Sequence, residues 1–510
     1  MGMRILLAAC LPFLFTNFAD AVDGSLVLSV QEESDGQPTI TRLEFWRAGK
    51  AGKPVFLKRA VPVGIGFVLD RELEISVPDA AYQFRVIRGP EYRIISGNFT
   101  LEKTSLDDHG VQLPRMVHML DQGWTSGDCC VVGSPYSLPL RMASEDLHVA
   151  AVIGHIDAKP IPRRDRDDPI NHEPIWIRKD AKCAGGLIFY GGDERIRNDA
   201  DRLPADNLRI AAADDSIRVG IENPFAWELP VWLASGQVDG FFVLGDWLRL
   251  DRKVDRVKWG REPDGPSLGN STEVGRWAEK IYWQMLDSGL RIPPLAGGGD
   301  DSKNTPVGYN RLYVTEPADE SSTSSEDVEN RGVSTSDQWW LSAWRGQSVA
   351  TNGPLLQPRL GGEIPGHVFR AAKGEVLQIQ PELNLAVRDP VEYLEVIHNG
   401  RVHYSARLDE YAKAGGTIPP IEAKESGWVT IRVVTLFEDH FRAAMSAPWY
   451  IEFDSSPRVS AGAVEFFRDW LARYEDRLKR LPPAELNRHV PYIKAARRFW
   501  KEQADLANAK

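Results

Sequence analysis

The chain has 510 residues, 26% of them charged and 43% hydrophobic, with 61 basic against 72 acidic side chains and a net charge of -11. At about 150 residues per domain this length suggests roughly three domains, and the composition is that of an ordinary globular protein, which excludes wholesale disorder. The acidic balance, without a long Lys/Arg run, provides no broad attraction for phosphate backbones, so no nucleic-acid partner is expected.

The first residues carry a short basic head at Arg4, an apolar stretch from Ile5 to Phe18, and Ala19-Asp20-Ala21 in the spacing of a cleavage site. This predicts a signal peptide over residues 1–21 and an exported protein, periplasmic or extracellular. The apolar stretch is shorter than the ~20 residues that span a bilayer and contains Pro12 and Asn17, which argues against an anchor helix. Leu7-Ala8-Ala9-Cys10 is similar to a lipoprotein signal, so lipid anchoring at Cys10 is the secondary expectation. No later stretch is long and apolar enough to cross a membrane. Cys129, Cys130 and Cys183 would remain in the mature chain, an odd number that describes no disulfide framework. A bridge to Cys183, a ring between the adjacent pair and buried thiols are all open, and Cys129-Cys130 lacks the C-x-x-C spacing of a redox pair.

Residues 22–117 contain short alternating runs such as Ser25–Val30 and Tyr82–Ile87 between Gly, Pro and Asp turns, which predicts an N-terminal β-sandwich. Residues 118–355 mix apolar strand runs with helical patterns such as Val274–Leu286, which predicts an α/β unit. Within it, residues 315–338 are acidic and Ser-rich without apolar periodicity and are predicted to be a solvated loop. Strand signals return over residues 356–455, predicting a second sandwich, and residues 456–510 carry helical spacing at Val464–Leu478 and Val490–Ala504.

Candidate chemistry gathers in the middle unit, because α/β barrels build their sites just beyond strand C-termini. Val149–Gly154 precedes His155 and Asp157; Gly186–Gly192 precedes Asp193 and Glu194; Glu222 and Asp246 follow two further apolar runs; and His172 lies in a connecting segment. Imidazoles and carboxylates of this kind suit zinc, manganese or iron. Acidic residues after strands also cap helices, so each has a plainer role available. His148, which begins a strand, reads as a hydrogen-bonded core residue. Trp339, Trp340 and Trp344 at helical spacing suit core packing better than stacking on a sugar. There is no phosphate-binding G-x-x-x-x-G-K-[ST], no G-x-S-x-G elbow and no H-E-x-x-H helix.

Gly123-Trp-Thr-Ser-Gly-Asp128, preceded by Arg88-Gly-Pro-Glu-Tyr92, resembles the secreted CehA/McbA-like branch of the PHP (polymerase and histidinol phosphatase) metallohydrolases. Ala143–Val149, Leu229–Asp239, Gly289–Pro294, Pro306–Val314 and Thr351–Leu356 match further phrases in order, so that the likeness covers most of the mature chain. The resemblance implies a multidomain α/β plus all-β protein: a distorted (β/α)7-type PHP-like barrel flanked by β-sandwich modules, with C-terminal helices. Metal-binding members place two histidines at alternate positions of the first barrel strand, and here those positions are Cys130 and Val132. Asp128 alone remains of the motif's polar residues, and the branch's Asn-Asn-His phrase is missing near Gly245-Asp-Trp247. The resemblance with this departure implies a scaffold that has lost its usual metal centre, carries no cofactor, and binds a small molecule or protein. The alternative is an active hydrolase of phosphoesters or related esters, with a divalent metal rebuilt among Asp128, His155, Asp157, His172, Asp193 and Glu194.

Overall fold

In the computed structural model the described residues are 24–50, 53–55, 57, 60–132, 137–153, 175–199, 202–250, 260–263, 271–300, 305–315 and 335–509. The predicted signal peptide, the stretch holding His155, Asp157 and His172, and most of the acidic Ser-rich loop lie outside them.

Alternating apolar and polar residues build eight N-terminal strands: β1 (Ser25–Glu32), β2 (Ile40–Arg47), β3 (Pro62–Val63), β4 (Gly66–Asp70), β5 (Glu72–Ser76), β6 (Ala80–Ile87), β7 (Ile95–Leu101) and β8 (Leu106–Leu113). They form two sheets, ordered β5-β1-β8 and β3-β4-β2-β6-β7. Leu26, Leu28 and Val30 of β1 share one buried core with Leu43 and Phe45 of β2 and Phe84 and Val86 of β6. Every second residue contributes, because side chains at i and i+2 leave a strand on the same side.

The central stretch comprises β9 (Trp124–Val132), α1 (Leu138–Ser144), β10 (Val149–Ile153), β11 (Trp176–Ala184), β12 (Leu187–Tyr190), α2 (Pro204–Ala211), β13 (Arg218–Ile221), α3 (Leu229–Ala234) and β14 (Gly240–Leu244). It continues through α4 (Ser271–Asp287), β15 (Pro294–Ala296), β16 (Gly299–Asp300), β17 (Arg311–Thr315), α5 (Thr335–Trp344) and β18 (Ser348–Thr351). Strands β9, β10 and β11 run parallel, as do β13, β14 and β15. Strand β12 is antiparallel to both of its neighbours. Strand β15 pairs with β14 and β16 pairs with β9, so the continuous segment Pro294–Asp300 links the two ends of the β9–β15 order into a ring through the chain rather than by hydrogen bonds alone.

Two local sequences shape this ring. Gly185 and Gly186, with φ of +63° and +92°, reverse the chain directly from β11 into β12, a left-handed turn that strains any residue bearing a Cβ. Gly127 of β9 lies under α5, where a Cβ would stand 2.3 Å from the Trp339 ring. Trp339 and Trp340 are buried. Trp340 stacks on Trp344 at 5.5 Å and lies 5.1 Å from Tyr190, so this aromatic group packs the core. Of the loop expected over residues 315–338, the two ends belong to other elements: Thr315 closes β17, and Thr335 opens α5. Asp337 stands in the first turn of that helix, where an acidic residue suits the helix dipole.

The remaining strands are β19 (Leu355–Leu360), β20 (Val368–Ala371), β21 (Leu377–Ile379), β22 (Pro381–Ala386), β23 (Val391–His398), β24 (Arg401–Ala406), β25 (Ile421–Ala423), β26 (Gly427–Thr435), β27 (Ala443–Ser446) and β28 (Trp449–Phe453). Helix α6 (Leu408–Lys413) lies among them, and α7 (Ala461–Leu478) and α8 (Pro483–Asp505) follow. Strand β17 pairs with β9 and β18 pairs with β27, so one sheet runs from the ring into the C-terminal strands. The last two helices pack on the central stretch. Phe467 stacks on Trp500 at 4.9 Å, and the Trp500 indole donates to the Pro230 carbonyl at 2.9 Å. Trp232, Trp470 and Trp500 are fully buried, and each such side chain contributes about 2–3 kcal/mol. The protein is therefore a mixed α/β, strand-rich molecule of several sheets. Among the described residues no helix is long and apolar enough to cross a membrane.

Candidate functional site

The C-terminal ends of the parallel strands bring Cys130 of β9 near Glu222, which follows β13, and Asp246, which follows β14. Burial, then the charges of Glu222 and Asp128, push the Cys130 thiol well above its ordinary range. The neutral thiol is thereby favoured over the thiolate. Burial raises the Cys129 thiol in the same way, and none of Cys129, Cys130 and Cys183 is in a disulfide. Val132, two residues beyond Cys130, is 39% exposed and has no donor atom.

Asp128 is 1% exposed, and both of its oxygens are occupied. Oδ1 accepts from the Cys130 and Gly298 amides at 2.9 and 3.1 Å, and Oδ2 accepts from the Gly298 and Gly308 amides at 3.1 and 2.9 Å. Burial pushes this carboxyl up to about 7 against the opposing pull of those amides. The side chain thus ties β9 to the segments that cross beside it.

The reversal at Gly185-Gly186 carries the residues after β12 to the opposite end of the strands from Glu222 and Asp246. Asp193 and Glu194 are exposed there. Asp193 pairs with Arg195 at 2.8 Å, which holds its carboxyl below the usual range, and Arg195 also binds Asp214 at 2.6 Å. Residues beyond strand C-termini converge only where the strands run parallel, and the antiparallel β12 parts this pair from Asp128. His148 is buried with its Nδ1 2.9 Å from the Ser126 hydroxyl, which bonds the Asp146 carbonyl. Among the described residues no group of three or more His, Cys, Asp or Glu side chains is arranged to hold a metal ion. His155, Asp157 and His172 lie outside those residues.

Three of the phrases noted in the sequence meet instead in a buried polar junction. Glu91 accepts from the Tyr313 hydroxyl at 2.9 Å on one oxygen, and from the Met119 amide at 2.9 Å and Arg115 at 3.0 Å on the other. Arg88 pairs with Asp146 at 2.7 Å, and Arg115 reaches the same carboxylate at 3.0 Å. The two guanidiniums lie 4.7 and 4.8 Å from the Tyr92 ring centroid. Each charge has an opposite partner, which is the condition under which buried ions persist. This junction fastens the N-terminal sheets to β17 and to the segment before β10.

Beside the junction, Pro90, Glu145, Tyr309, Asn352, Arg388 and Arg442 help line a cleft of about 440 Å³ where the N-terminal, central and C-terminal parts meet. None of the residues proposed from the sequence lines it. Its walls come from stretches as far apart as Arg42 and Arg442, a separation that local pattern does not reveal. Pro90, Glu145, Tyr309 and Asn352 belong to phrases quoted from the sequence, whereas Arg388 and Arg442 belong to none.

No family model matches the chain, and no curated protein does. Solved structures similar to it include the Bacillus anthracis TIE protein, at 15% identity over 22% of this chain and 20% of that one, with a TM-score of 0.15. Another is the Parabacteroides merdae beta-glucuronidase, at 9% identity over 81% of this chain and 61% of that one, also with a TM-score of 0.15. The chain therefore spans less than two thirds of either protein, and likeness at this level carries no argument about fold or activity.

Proposed function

We propose that this chain is an exported, divergent relative of the PHP metallohydrolases whose central ring descends from their barrel, and that it acts by binding a ligand or partner without the usual metal centre. The observation that supports this reading most directly is the state of the motif residues. Asp128 has both oxygens engaged by three backbone amides, Cys130 is buried in the core, and Val132 has no donor atom. Among the described residues no three His, Cys, Asp or Glu side chains are arranged to hold a metal ion. Binding is supported further by the way the quoted phrases build a rigid junction and one wall of a cleft. The test is elemental mass spectrometry of the purified protein after exposure to zinc, manganese and iron followed by desalting. Retention far below one ion per chain is expected. Near-stoichiometric metal, lost on His155→Ala or Asp193→Ala, would overturn the reading and restore the hydrolase with a rearranged site.

A further inference from the structure

The cleft between the three parts of the molecule takes the binding reading further and rests on it. Five arginines reach this cleft: Arg42, Arg85, Arg311, Arg388 and Arg442. Three have carboxylate partners: Arg42 pairs with Glu44 and, at 2.5 Å, with Glu145; Arg85 pairs with Glu44 at 2.8 Å; and Arg442 pairs with Asp389 at 2.8 Å. Arg311 is buried and donates to the carbonyl oxygens of Gly308, Asp146 and Glu145. Arg388 differs from all of them. Its guanidinium makes one hydrogen bond, from Nη1 to the Tyr92 carbonyl at 3.3 Å, and among the described residues no carboxylate lies within ion-pair distance. A guanidinium carries five N–H donors in a fixed fork that matches an oxyanion. Arg388 therefore presents unmatched donors to the cleft wall. Burial, then the neighbouring Arg442, lower its pKa to about 10 against the opposing pull of the Asp389 and Glu145 carboxylates.

The opening of the cleft has a second, independent character. Ile94 and Leu250 line it and are 41% and 38% exposed. Phe437 lines it as well, fixed by the Arg442 guanidinium 4.1 Å from its ring centroid, and the adjoining Leu436 is 60% exposed. Single exposed apolar side chains are common, but several around one concavity form a patch that favours an apolar ligand group.

We infer that the cleft binds an organic oxyanion, a carboxylate or phosphate ester carried on an apolar group, with Arg388 gripping the anion and Ile94, Leu250 and Phe437 against the apolar body. The probes are phenyl phosphate, benzoate and inorganic phosphate, titrated calorimetrically into the full mature chain at about 50 mM salt, where exposed charge pairs are only partly screened. At least one aromatic anion binds about tenfold or more tightly than inorganic phosphate, because only it buries apolar area. The tighter of the two identifies the head group. Arg388→Gln weakens that binding about tenfold or more, the usual effect of losing a charged hydrogen-bond partner. Leu250→Ser and Ile94→Ser weaken the aromatic anion and leave inorganic phosphate unchanged.

Absence of binding by both aromatic anions overturns the inference, as does an Arg388→Gln protein that keeps its unfolding midpoint and the wild-type affinity. If Arg388→Gln does not fold, unchanged affinity in both rim variants overturns it. The two readings fail separately: retained metal would overturn the scaffold reading without touching the cleft, and a cleft without anion affinity would leave the scaffold reading in place.

Discussion

Replacing Glu91 with alanine tests whether the buried junction holds the N-terminal sheets to the rest of the molecule. The side chain is 1% exposed and satisfies three donors: the Tyr313 hydroxyl, the Met119 amide and Arg115. Glu91→Ala leaves the first two buried without an acceptor, at about 1–3 kcal/mol each. Arg115 keeps Asp146 at 3.0 Å, so it does not become a lone buried cation, and its share is small. Burial, then repulsion from Asp146, raises the Glu91 carboxyl above its usual range, which means that removing the charge also returns some desolvation energy. The balance is a loss of about 3 kcal/mol. Glu91→Gln costs less, about 1 kcal/mol, because its oxygen still accepts from Met119 while its amide donates to the tyrosine oxygen. Urea unfolding followed by tryptophan fluorescence and far-ultraviolet dichroism measures both. The alanine variant should also show a broader transition, since the N-terminal sheets lose one of their polar attachments while the Arg88–Asp146 and Arg42–Glu145 pairs remain. A loss below about 0.5 kcal/mol with one unchanged transition would refute the reasoning.

Three other predictions follow from the central stretch. Gly127→Ala drives a Cβ into the Trp339 ring and should destabilise by about 1–3 kcal/mol, read as a lower melting temperature and a shift in tryptophan emission; an unchanged melting temperature would count against the packing of α5 on β9. The Asp128 carboxyl is raised to about 7 in the folded chain, so the folded state holds a proton that the unfolded state releases near the ordinary carboxylate pKa of about 4. Stability therefore falls as pH rises through the window from about 4 to about 7, and Asp128→Asn flattens that slope in urea midpoints measured across it; an unaltered slope would contradict the assignment. Thiol labelling followed by peptide mapping should find Cys129 and Cys130 protected in the native chain and reactive in denaturant, since both are buried with raised thiols. Rapid native labelling of Cys130 would contradict its burial.

Much of the secondary structure was legible because it rests on local periodicity. Apolar spacing over Val274–Leu286 marks α4, and the spacing at Val464–Leu478 and Val490–Ala504 marks α7 and α8, which extend to Ala461 and Pro483. The buried tryptophans of α5 were legible for the same reason. The direction of β12 was not, because a four-residue apolar run looks the same whether its neighbours run with it or against it. Only the adjacent glycines Gly185 and Gly186 announced the reversal, and this reversal separates Asp193 and Glu194 from Asp128. Nor could spacing show that Asp128 would be enclosed by amides of Gly298 and Gly308, which approach it from 170 and 180 residues away. The cleft arginines were hidden for a related reason. That Asp389, the neighbour of Arg388 in the chain, pairs with Arg442 and leaves Arg388 without a bonded carboxylate emerges only once the three parts are assembled.

The ring has a temporal side. The N-terminal sheets are complete once Leu113 has been made, since β1 and β8 pair within that stretch. Strand β9 then finds β10 quickly on one edge, but its other edge is covered only by β16 and β17, through Gly299, Asp300 and Leu312. At ribosomal speeds of about 5–20 residues per second, that edge stays bare for roughly ten to thirty seconds. An uncovered strand edge is a template for wrong partners. The late arrival of Gly299 and Asp300 therefore sets the interval during which a nascent copy of this chain is most vulnerable to mispairing.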